Sequence, residues 1–78
     1  MSARDAVMTL ARALPGWRDQ DAPDAAQARA YLWSEAIDAL DVGDHDAAVT
    51  LLRRAPHAGD DPAPEHEAIR AIAMERPL

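Results

Sequence analysis

Cysteine is missing from this sequence altogether. Neither a disulfide nor a thiolate zinc site can hold the fold together, and the redox compartment leaves no mark on the composition. Phenylalanine is missing too, and Trp17, Tyr31 and Trp33 are the only aromatic residues. Apolar residues reach 49%, but alanine supplies much of that and buries little area. At 78 residues the chain is one small domain, near the size at which a single core barely suffices. A partner or a second copy would help to keep it folded. Lysine is also absent, so all eight basic residues are arginine against fourteen Asp and Glu, for a net charge of −6. That balance argues against direct contact with a nucleic-acid backbone or an anionic lipid surface. No apolar run approaches the roughly 20 residues that span a bilayer. The N-terminus lacks the charged-then-apolar layout of a signal peptide, so a cytoplasmic protein is expected.

What is present is helical periodicity. The spacing predicts an all-α bundle of four helices, at about 3–14, 23–42, 45–55 and 62–76, in one domain over 1–78. Its centre is an antiparallel hairpin at 24–55. Ser2 is placed to cap the first helix with Asp5 three residues on. Ala3, Ala6, Val7, Leu10, Ala11 and Leu14 share a face, and Met8 falls on the opposite, polar one. Pro15-Gly16 stops this helix. In the loop that follows, Trp17 either folds back as a lid on the core or waits at an interface. Asp21 is expected to cap the second helix, with Pro23 in its first turn. That helix carries an apolar arc of about 200°, from Ala25 and Ala28 through Trp33, Ile37 and Leu40, wide enough for two neighbours. Arg29 intrudes on the arc, so it either snorkels outward or pairs with a later carboxylate.

Gly43 supplies the left-handed turn and Asp44 the next cap. The third helix buries Ala47, Ala48, Leu51, Leu52 and Ala55, and it closes on Arg53-Arg54. In the last helix Glu65 and Glu67 suit the first turn. Ile69, Ile72, Ala73 and Met74 make its apolar face, and Pro77 ends it. This helix is the least apolar of the four, expected to be loosely docked or ordered only in a complex.

Residues 29–55 resemble a tetratricopeptide-type helical hairpin. Ala36 sits where the helices cross, Gly43-Asp44-His45-Asp46 forms the turn, and Ala48, Leu52 and Ala55 face inward. The sequence departs from that family at Glu35, where an apolar residue is usual, at Pro56, and in having one hairpin where the family stacks several. The resemblance implies protein–protein interaction and no chemistry.

The residues that might carry chemistry do not assemble into a motif. His66-Glu67-Ala68-Ile69-Arg70 puts arginine where a zinc-protease helix has its second histidine. Asp41, Asp44 and Asp46 surround a turn whose Gly43 comes too early for a calcium loop. His45, His57 and His66 lack ligand spacing. Neither Ser2 nor Ser34 has a nucleophile context, and no glycine loop is present to cradle phosphate. No enzyme activity, cofactor or metal is therefore expected.

The surface residues carry the functional expectation. Asp24, Tyr31, Glu35, Asp38 and Asp41 line the polar face of the second helix, and with Trp17 they form the candidate partner-binding set. Two uses fit them. One is a small adaptor or accessory module docking on a larger protein. The other is an acidic inhibitor that imitates nucleic-acid charge against a nucleic-acid-binding complex, as phage anti-restriction and anti-CRISPR proteins do. A second copy of the chain is also an admissible partner.

Overall fold

A computed structural model describes residues 2–75 and places four α-helices there. They are α1 (Ala3–Arg12), α2 (Asp24–Asp41), α3 (His45–Arg54) and α4 (Ala63–Glu75). This is the expected all-α bundle, with each end within two residues of the expected one. The stop expected at Pro77 lies outside the described residues. No helix among them is long and apolar enough to cross a membrane.

Local chemistry explains most of the boundaries. Ser2 Oγ accepts the Asp5 N–H at 3.2 Å and caps α1, and Asp44 Oδ1 accepts the Ala47 N–H at 3.1 Å and caps α3. Gly43, at φ 78°, ends α2 with paired reverse bonds. The Asp44 N–H reaches Ala39 O at 2.8 Å and the Gly43 N–H reaches Leu40 O at 3.0 Å, which satisfies carbonyls the helix would otherwise leave open. Asp21 does not cap α2. Pro23 occupies the N-cap and no side chain caps that end. A capping oxygen must come from the residue immediately before the helix, and Asp21 stands two positions too early. Its own N–H is held instead by Asp19 Oδ1 at 3.0 Å.

The helices form a ring in which α2 packs on α1 and α3, and α4 packs on the same two. The α2 and α4 backbones make no direct contact, so long side chains must fill that diagonal. The core contains Val7, Leu14, Trp33, Ile37, Leu52 and Ile72, with alanines between them.

The buried arc of α2 is narrower than expected, comprising Ala30, Trp33, Ala36 and Ile37. Its flanking helices have 10 residues each against its 18, and Ala25 and Ala28 in its first turns are exposed. Met8 is half-buried against the core rather than free on a polar face. α1 is covered by α2 on one side and α4 on the other, so its buried arc is wider than one stripe. The face of α4 is also rotated from the expected one. Glu65, Ala68 and Ile72 are buried and Ile69 is half-buried, while Ala73 and Met74 are exposed.

Candidate functional site

The polar face of α2 is a stripe at helical spacing. Asp24, Gln27, Tyr31, Glu35 and Asp38 follow one another every three or four residues, as neighbours on a helix surface do. Asp24 and Asp38 are exposed, Glu35 is half-buried, and Tyr31 is 64% exposed. The neighbouring Glu35 carboxylate, by hydrogen-bonding attraction and by its negative charge, and then Asp38 push the phenol above its ordinary value. Tyr31 is therefore a neutral donor placed among carboxylates.

Asp41 is engaged elsewhere. Its Oδ1 accepts Arg4 Nε at 2.7 Å, and Arg4 also approaches Asp5 at 3.8 Å. The pair is about half exposed, where such bridges are worth about 0–1 kcal/mol. Its main effect here is to neutralise one charge of the stripe and tie α1 to the end of α2.

Trp17 reaches the same face from the loop between α1 and α2. It is half-buried and packs on the core, as a lid would. It also lines a cleft of about 280 Å³ with Arg18, Gln27, Tyr31 and Ser34. The loop is held in place at several points. Gln27 Nε2 donates to Gln20 O at 3.0 Å and to Ala22 O at 2.7 Å. Arg18 takes a left-handed conformation at φ 56°, which costs a non-glycine residue free energy and persists only where the surroundings enforce it. Gly16 has φ 89°, and a Cβ there would lie 2.8 Å from the Ala26 backbone. Gly16→Ala should therefore lower stability by about 1–3 kcal/mol and displace Trp17. A denaturation curve and the tryptophan emission spectrum test this. An unchanged midpoint would mean that the loop does not need its close approach to α2.

The most constrained polar cluster lies inside the bundle. Glu65, 1% exposed, accepts Arg29 Nη2 on Oε1 at 2.5 Å, and Arg29 Nε on Oε2 at 2.7 Å. Trp33 Nε1 donates to the same Oε2 at 2.6 Å. Arg29 Nη2 also donates to Asp61 O at 2.7 Å. Arg29 thus follows the second of its two expected courses, pairing with a later carboxylate. Burial alone would push the Glu65 carboxyl up, but the bonds from Arg29 and Trp33 and the guanidinium charge hold it below the ordinary value. Arg29 is raised, chiefly by its bond to Glu65. Both carboxylate oxygens are committed to donors and closed off from solvent, so the cluster is built to hold helices rather than to transfer protons.

Glu65 suits the first turn of the last helix by its spacing, and nothing local in the sequence links it to Arg29. The available signal was Arg29 itself, a permanent cation on an apolar arc that needs a carboxylate from elsewhere in the chain. Of the histidines, His45 lies against Gly43 O at 3.1 Å, while His57 and His66 are exposed. No three His, Asp or Glu among the described residues gather as metal ligands would. No family model, curated protein or solved structure matches the chain.

Proposed function

We propose that this chain is a small, non-enzymatic, acidic interaction module that docks on a larger protein through the outer face of α2. Tyr31 carries the reading. It is a large side chain left 64% exposed on a firmly packed helix, between carboxylates and beside the Trp17 cleft. Exposed tyrosine is a frequent interface anchor. Asp24, Glu35 and Asp38 around it suit a partner surface rich in arginine or lysine. Asp41 lies at the edge of this surface, already paired with Arg4. The resemblance of residues 29–55 to a tetratricopeptide hairpin points the same way.

A second reading, imitation of nucleic-acid charge, draws on Glu35 and Asp38 lying one turn apart on a chain of net charge −6. The two readings divide on salt and on the aromatic ring. Capture of partners should be compared for the native chain, Tyr31→Ala, and Glu35→Arg with Asp38→Arg, at low and high salt. An adaptor loses its partner with Tyr31→Ala and keeps the native interaction in high salt. A charge mimic loses a nucleic-acid-binding partner in high salt and on charge reversal, and tolerates Tyr31→Ala. A partner that all three proteins capture equally at both salt levels would rule out this face.

A further inference from the structure

The outer side of the α1/α4 pair carries a trough that the described residues leave open. Two cavities of about 400 and 370 Å³ share Ala6, Ala71 and Met74 and so form one continuous feature. Ala6 and Ala71 give it small side chains along its length, with the half-buried Leu10 toward one end. Met74, 81% exposed, lies where the two cavities join, and Ser2, Ala3 and Glu75 line the other end. On α4 the lining residues Glu67, Arg70, Ala71 and Met74 are spaced as the seam of a helix pair requires.

We infer that this trough is the self-association surface of the protein, and that its occupant is a second copy of the chain related by a two-fold axis. This stands apart from the proposed docking face on α2. The first argument is charge complementarity. The stripe carries one acid and one base three residues apart, which is the arrangement that pairs with itself when reversed. An axis midway between residues 67 and 74 sets the two α4 helices antiparallel. Glu67 of each copy then lies about 6 Å along the helix from Arg70 of the other, at 1.5 Å per residue, within reach of an arginine side chain. The same axis puts the two Ala71 residues almost opposite each other, where small side chains permit close approach. It also sets each Met74 over the Leu10 end of the other copy's trough. The second argument is the core, in which seven of the thirteen buried apolar side chains among the described residues are alanine. A domain of this size gains stability from whatever binds its folded state, and a second copy is always available.

Sedimentation equilibrium from micromolar to millimolar concentration tests the inference. The native chain should form dimers. Glu67→Arg alone and Arg70→Glu alone each set like charges opposite one another, and each should weaken dimerisation about ten-fold or more. Met74→Asp should do the same by placing a charge in the apolar seam. The decisive samples combine changes. Glu67→Arg with Arg70→Glu in one chain restores both pairs and should dimerise as the native chain does. An equimolar mixture of the two single variants should form heterodimers, because an all-arginine stripe then faces an all-glutamate one. Glu67, Arg70 and Met74 are all exposed, and circular dichroism checks that each variant stays helical. A native chain that is monomeric throughout overturns the inference, including one that takes up a foreign helix in the trough. So does a dimer indifferent to all three single changes, since its interface lies elsewhere.

Discussion

Glu65→Ala should destabilise the protein by about 3–5 kcal/mol, because it strands a largely buried guanidinium and a buried indole N–H together. The Arg29 side chain is only 11% exposed, so water replaces little of the lost carboxylate. A domain of 78 residues has a total stability of about 4–12 kcal/mol. The variant should therefore be marginal or largely unfolded at room temperature, as urea denaturation followed by circular dichroism would show. Glu65→Gln keeps hydrogen-bonding atoms in place but leaves the cation unpaired, and should fall between the two. Arg29→Met with Glu65→Met removes the ion pair entirely and should cost less than either single change. A loss below about 1 kcal/mol for Glu65→Ala would mean that the pair adds nothing to the bundle.

The same carboxylate sets the acid limb of the stability curve. Glu65 has a lowered folded pKa, so its contribution is fully present above the unfolded glutamate value of about 4.3. It is lost as the pH falls below that value and through the lower folded one. Arg29, already raised, stays charged throughout this window, so the loss belongs to the carboxylate. Stability measured below about pH 4.3 should therefore fall more steeply in the native protein than in Glu65→Gln. Parallel acid limbs would contradict a depressed Glu65.

Trp33→Ala should cost a similar amount, about 3–5 kcal/mol. Trp33 heads the fully buried side chains by volume, and its ring bridges α2 and α4 where the backbones do not meet. Truncation empties that diagonal and also removes one donor to Glu65. Trp33→Phe separates the two effects. Most of the packing remains, so the loss should approach that of a hydrogen bond to a charged group, about 1.5–3 kcal/mol. Thermal melts of both variants decide the matter. If phenylalanine is as damaging as alanine, the hydrogen bond to Glu65 outweighs the volume of the ring.

The parts of this fold that depend on near neighbours were legible in the residues. Apolar spacing marked the four helices, and Ser2, Gly43 and Asp44 announced their ends by chemistry that acts within a few positions. What was not legible depends on residues far apart in the chain. The orientation of α4 is the clearest case. Alanines fall around most of that helix, so its pattern alone does not choose a face. Arg29, 36 positions earlier, chooses it by drawing Glu65 inward and leaving Met74 outside. The candidate stripe on α2 was visible as periodic carboxylates around Tyr31. The commitment of Asp41 to Arg4 was not, since it needs α1 to lie alongside. Likewise, the cleft beside Tyr31 exists only because Gly16 lets the preceding loop press against Ala26.

The pairing of α1 with α4 makes the chain nearly a closed loop. The Glu75 carboxylate accepts the Ala3 N–H, so positions 72 residues apart in sequence occupy one corner of the bundle. Label attachment at the loop around Gly59, which is exposed, avoids both the trough and the stripe. Positions 3 and 75 could equally be bridged by a short linker and the chain reopened in that loop, leaving all four helices and their partners in place.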